Sequence, residues 1–175
     1  MTDVKTLRVR ARKHIEEGAV TAGYAADRTT VLKLLNDALA TEIVCVLRYR
    51  RHHFMARGID AKSTADEFLV HSDEELGHAD RISERIVQLG GEPDFAPDGL
   101  TGRSHAEYVA GASLVEMIKE DLVAERIAID SYRELIQYLG GQDPTTSQML
   151  KEVLAVEEQH ADELADLLKG LPRTS

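Results

Sequence analysis

Four stretches of this chain repeat apolar residues at three- and four-residue steps, roughly over 29–57, 64–89, 113–139 and 144–169. That period lines one side of an α-helix; a strand alternates its faces every second residue. Four stripes of this kind need a shared interior, so the pattern predicts an all-α four-helix bundle. The 4 prolines and most of the 12 glycines punctuate it. Gly58 follows the first stretch, and Ser63 with Asp66, or Thr64 with Glu67, suits a cap for the second. Gly90–Gly91 and Gly140–Gly141 close the second and third. Asp143–Pro144 reads as an N-cap followed by a proline at the first helical position, and Pro172 would end the fourth helix.

Two segments stand outside the four helices. Residues 1–28 form an N-terminal extension with a short basic helix around Lys5, Arg8, Arg10, Arg12 and Lys13. It reads as a solvated element rather than a nucleic-acid contact. Residues 90–112 are a long connection between the second and third helices, long enough to cross the full length of a bundle. Within it, Ser104-His105-Ala106-Glu107 resembles a capping box and predicts a short helix. The bundle proper then spans 29–169, with 170–175 as a tail.

Composition narrows the function. The 31 acidic against 21 basic residues give a formal charge of −10, which argues against nucleic acid as the main partner. No apolar run approaches the ~18 residues of a transmembrane helix, and no signal-type apolar segment follows the basic N-terminus. A cytoplasmic protein without membrane contact is expected. The single cysteine, Cys45, excludes an internal disulfide, a CxxC zinc ribbon and a rubredoxin-type iron centre. It reads as a small buried hydrophobe.

The stripes contain charges where a core should be. They run Leu35-Leu39-Glu42-Val46-Tyr49 and Phe68-His71-Glu75-His78-Ile82 in the first two helices. In the last two they run Ile118-Leu122-Glu125-Ile129-Tyr132 and Leu150-Val153-Glu157-His160-Leu164. A buried, unpaired carboxylate is costly enough that it neutralises or finds a partner. Each stripe carries one near mid-helix. In an antiparallel hairpin, residues at one level have their sequence midpoint at the turn. The midpoint of Glu42 and Glu75 falls beside Gly58, and that of Glu125 and Glu157 on Gly141. Glu75 and Glu157 each open a Glu-x-x-His, ending at His78 and His160, which puts carboxylate and imidazole on one face. Glutamate-to-tyrosine spacing is seven in both halves (Glu42–Tyr49, Glu125–Tyr132). This is the signature of a duplicated helical hairpin. Four carboxylates and two imidazoles suit iron or manganese better than a thiolate-seeking metal. Two divalent cations would balance four glutamates, and on oxidation the added charge would call for oxide or hydroxide. His71, one turn before Glu75, reads as a hydrogen-bonded structural histidine, with binding of an entering ion the alternative. His52 and His53 carry no signal.

One Glu from each of two helices and a Glu-x-x-His from each of the others is the di-metal carboxylate arrangement of helical bundles. At these residues the chain resembles the ferritin-like di-iron proteins, bacterioferritin in particular, over about residues 29–169. The likeness includes Glu75-x-x-His78-Ala79-Asp80, the Gly90-Gly91-x-Pro93 loop and Glu157-x-x-His160. It implies Glu42 and Glu125 as terminal ligands, Glu75 and Glu157 as bridging ligands, and His78 and His160 as one nitrogen ligand per metal. Tyr49 falls where the family has a tyrosine near the metals, as electron donor or hydrogen-bond partner. Three departures qualify it. Leu76 replaces the methionine that binds haem in bacterioferritins, so haem is not expected. The fifth helix of 24-subunit cages has no counterpart, which with a helix in the central loop resembles the dodecameric Dps-type cages. Ala128 stands where rubrerythrins add a glutamate. The resemblance implies oxidation of Fe(II) by O2 or H2O2 at two irons per subunit, and iron storage in a homo-oligomer of about 12 copies rather than 24. The alternatives are a di-iron or di-manganese oxidase or peroxidase without storage, and a Dps-like DNA-protecting protein using residues 1–13.

Overall fold

The computed structural model describes residues 1–58 and 61–170. Its helices are α1 (Val4–Arg10), α2 (Arg28–Met55), α3 (Ala61–Gln88), α4 (Pro97–Arg103), α5 (Leu114–Leu139) and α6 (Pro144–Gly170), with a 3-10 turn at Ile15–Glu17. Among the described residues there is no strand. Helices α2, α3, α5 and α6 are the four long elements that the periodicity predicts. Pro172 and most of the expected tail lie outside the described residues.

Local chemistry sets the helix ends. Asp27 caps α2, accepting from Thr29 N at 3.2 Å and Thr30 Oγ1 at 2.6 Å. Asp143 Oδ1 accepts from Thr146 N at 2.9 Å ahead of Pro144, as expected for the start of α6. Gly90, at φ +76°, supplies the left-handed turn that ends α3. Beside it a Cβ on Gly91 would lie 2.5 Å from Leu32 Cδ2, so a larger residue there would have to push the Leu32 side chain aside. The cap expected near Ser63 is a misreading: α3 already includes Ala61, so Ser63 and Thr64 lie within it, and Asp66 pairs with Lys62 instead. The expected capping box is also displaced. Ser104 follows α4 rather than opening a helix; Asp94 Oδ1 accepts from Ala96 N and Pro97 opens the helix earlier.

Two hairpins, α2–α3 and α5–α6, stack with α2 against α5 and α3 against α6. Their interior is divided. One apolar cluster gathers Leu35, Leu39, Ile82, Ile86, Leu139 and Leu150; the other gathers Tyr49, Phe68, Met117, Ile118 and Leu164. The polar residues of the four stripes lie at the levels between them. Val46 is only half-buried, and Val44 and Cys45 fill the core in its place.

The crossover does run the length of the bundle, and α2 holds it at successive levels. Asn36 accepts from Asp94 N at 2.8 Å, and Thr41 Oγ1 accepts from His105 N at 2.9 Å. Arg48 Nη1 donates to Glu107 O at 3.0 Å, and His52 Nε2 lies 3.1 Å from the carbonyls of Val109 and Ala110. From Asn36 to His52 the helix rises about 24 Å. No residue of α1 is buried, in line with a solvated basic element, but the chain returns to the bundle at Tyr24, whose hydroxyl donates to Asp143 Oδ2 at 2.9 Å. Burial and that carboxylate push the Tyr24 phenol up to about 12.

Candidate metal centre

Mid-helix placement on four stripes brings all six predicted ligands to one level. Glu42, Glu75, Glu125, Glu157 and His160 are at most 1% exposed, and His78 is 5% exposed. They form two overlapping groups. Glu42, Glu75, His78 and Glu157 offer ligand atoms within 4.8 Å of one another, as do Glu75, Glu125, Glu157 and His160. Glu75 and Glu157 belong to both.

Atom positions show how they are shared. His78 Nδ1 lies 3.3 Å from Glu75 Oε2, 3.0 Å from Glu157 Oε1 and 3.4 Å from Glu42 Oε2. His160 Nδ1 lies 3.6 Å from Glu75 Oε1, 3.7 Å from Glu157 Oε2 and 3.9 Å from Glu125 Oε2. Each central glutamate therefore turns one oxygen toward each imidazole. The outer carboxylates are oriented by tyrosines in a crossed arrangement. Tyr49 on α2 donates to Glu125 Oε1 on α5, and Tyr132 on α5 donates to Glu42 Oε1 on α2. On the far side of its ring, His160 Nε2 meets Glu74 Oε2 at 2.7 Å, the usual outer support of a metal-binding histidine.

The remaining polar atoms face inward unpaired. Glu42 Oε2, Glu75 Oε1, Glu125 Oε2, both Glu157 oxygens and His160 Nδ1 are buried without a well-aligned hydrogen bond. Buried polar atoms are nearly always satisfied, so six orphans in one place fit a centre that two cations complete. The electrostatics of the cluster agree. Burial, then the charge of Glu75, pushes Glu42 up to about 8. Burial and the charges of Glu75 and Glu157 raise Glu125 as well. Burial and the Glu157 charge work against Glu75, yet the neighbouring His160, His78 and Glu42 hold it below the usual carboxylate range. Burial would lower His160, but the Glu157 and Glu75 carboxylates facing it carry it up to about 11, and His78 rises beside Glu157, Glu42 and Glu75. The protein alone thus balances its carboxylates with retained protons, which divalent cations would displace.

A family model for the ferritin-like domain matches residues 32–174. The chain belongs to the ferritin-like family. Within it, a bacterioferritin of Mycobacterium leprae is 30% identical over 135 residues, covering 77% of this chain and 80% of the relative. Among solved structures, the dodecameric thioferritin of Bacteroides fragilis, a bacterioferritin-related protein, superposes with a TM-score of 0.80 at 29% identity, over 83% of this chain and 88% of that one. The di-iron bacterioferritin of Desulfovibrio desulfuricans shares the fold at a TM-score of 0.72 and 22% identity, over 81% and 80%.

Sequence reasoning missed the polar residues behind the ferritin-like site. Arg48, Asp121 and His52 are all buried. Arg48 Nε donates to Asp121 Oδ1 at 2.7 Å, and His52 Nδ1 lies 2.8 Å from Asp121 Oδ2. Asp121 stands one turn before Glu125, and Arg48 is next to Tyr49. Four-residue spacing was the available signal: Arg48 with His52, and Asp121 with Glu125, each share a helix face. Cys45 is buried as expected, under Arg48, whose Nη2 lies 3.7 Å from its sulfur.

Proposed function

We propose that this chain oxidises Fe(II) at the paired site and stores the ferric product inside a homo-oligomeric shell. The observation that carries this reading is the split of Glu75 and Glu157, each turning one oxygen to the His78 half and one to the His160 half. Only two cations held side by side make full use of such a pair. Fe(II) is the substrate, and hard carboxylate oxygens with one imidazole each suit it, as they also suit Mn(II). Glu42 and Glu125 are the terminal ligands, and His78 and His160 the nitrogen donors. Tyr132 and Tyr49 hold the terminal carboxylates in place. Tyr49, which falls where the family has a tyrosine near the metals, is also the electron donor should oxidation stall after one electron.

Two Fe(II) release two electrons, which H2O2 takes up with two protons to give two waters, or O2 takes up with two protons to give H2O2. We read the site as haem-free: Leu76, next to Glu75, is 41% exposed and has no ligating atom. Among the described residues no helix is long and apolar enough to cross a membrane, and we place the protein in the cytoplasm. The dodecameric relative and a helix in the crossover support a shell of about 12 copies. In Glu75→Ala and Glu157→Ala, stopped-flow oxidation of Fe(II) should lose its rapid phase with either oxidant, while native mass stays that of the wild-type assembly. Wild-type initial rates in both variants would overturn the assignment.

A further inference from the structure

A second, smaller group of metal-type donors lies beside the pair. Glu67 and His71 on α3 and Glu163 on α6 bring three ligand atoms within 4.8 Å of one another. His71 Nε2 is 2.9 Å from Glu163 Oε2 and 3.5 Å from Glu67 Oε1. Donors about 2.0–2.2 Å from a tetrahedral or octahedral divalent metal stand about 3–3.6 Å apart, which matches these separations. The geometry is held in place. The His71 ring is fully buried, stacked on His160 at 4.0 Å between centroids, with Tyr49 edge-on at 5.3 Å. Gln159 Nε2 donates to Glu163 Oε1 at 2.7 Å, which leaves Oε2 for His71.

Hydrogen bonding alone accounts poorly for this group. Two carboxylates converge on the single hydrogen that Nε2 can offer, and their like charges repel. The other ring nitrogen, Nδ1, is buried without a partner, so no second contact fixes the hydrogen on Nε2. A cation at Nε2 would draw both carboxylates in and cancel their repulsion. Access is present: Glu67 and Glu163 line a surface depression with Ser63, Thr64 and Asp166. On its inner side only one ring layer separates the cluster from the paired site, since the ring stacked on His71 is His160.

We propose that Glu67, His71 and Glu163 form a third, mononuclear divalent-cation site that receives Fe(II) from solvent before it reaches the pair. The receiving role rests on reading the pair as the iron-oxidising centre; the cation site itself does not. Crystals of the full chain soaked in Zn(II) or Co(II), read by anomalous scattering, test the site. The wild type should show three ions per subunit, one of them between His71 Nε2 and Glu163. The Glu67→Gln/Glu163→Gln variant should lose that ion alone, and Glu75→Ala/Glu157→Ala should keep it alone. Two ions at the pair and nothing at His71 in the wild type would overturn the third site while leaving the pair standing. An ion at His71 with none at the pair would uphold the third site and overturn the paired reading together with the receiving role. Stopped-flow oxidation tests the role: Glu67→Gln/Glu163→Gln should be several-fold slower at sub-saturating Fe(II), a deficit that added Fe(II) closes. Wild-type rates at low Fe(II) would overturn it.

Discussion

A phenol that donates to a ligand carboxylate fixes where its free oxygen points. Tyr132 does this for Glu42, and Tyr49 for Glu125. Tyr132→Phe keeps the ring in the core but leaves Glu42 Oε1 buried without a donor. Such outer supports are worth about 10–100-fold in metal affinity. We therefore expect Zn(II) titration of Tyr132→Phe to show one of the two paired-site ions weakened by that factor and the other little changed. Equal weakening of both, or of neither, would contradict the one-to-one link between Tyr132 and Glu42. The seven-residue spacing on α2 and α5 exposes both tyrosines in the sequence, because it keeps them on the face of their own glutamate. Their crossed pairing is not legible there. Periodicity gives the face of a helix, but not which neighbour that face meets. His71 shows the same limit: its place on the α3 stripe is readable, whereas its contact with Glu163 on α6 depends on how the helices stack.

Among the elements, the four long helices were readable because glycine, proline and a sustained 3.6 period agree. The crossover was readable only in length. Its path depends on side chains of α2 that bond its backbone N–H and carbonyl groups, and an arginine or histidine on a helix gives no hint that its acceptor is a loop backbone about 60 residues away. Arg48, His52 and Asp121 are the strongest of these ties, joining α2, α5 and residues 107–110 in one buried network. Asp121→Ala would leave the Arg48 guanidinium buried without its counter-charge. Breaking a buried pair from one side costs about 3–5 kcal/mol. Denaturant unfolding of the metal-free protein should register a loss of that size, whereas the same change at exposed Asp80 should shift stability by no more than about 0.5 kcal/mol. A small effect at Asp121 would mean that the crossover is held chiefly by its apolar contacts.

Among the described residues the bundle interior is two large apolar clusters with a charged layer between them, so its stability is tied to what that layer holds. In the metal-free protein, Glu42 binds its proton more tightly folded (about 8) than unfolded (about 4.5), and His160 does so from about 6.5 to about 11. Groups raised on folding stabilise fully below their unfolded values and lose that contribution as pH rises through the folded ones. Glu42 thus withdraws support between about 4.5 and 8, and His160 between about 6.5 and 11. Glu75, lowered on folding, acts oppositely but only on the acid side of about 4.5, outside this window. Each titrating group contributes a slope of about 1.4 kcal/mol per pH unit within its window. Metal binding runs the other way, because a cation must displace these same protons and its affinity climbs as they leave. The melting temperature of metal-free protein should therefore fall from pH 6 to pH 8.5, and the rise produced by redox-inert Zn(II) should widen over the same interval. A Zn(II)-induced rise that shrinks toward alkaline pH would mean that the protons of Glu42 and His160 do not compete with the cations, and that these two residues do not ligate the pair.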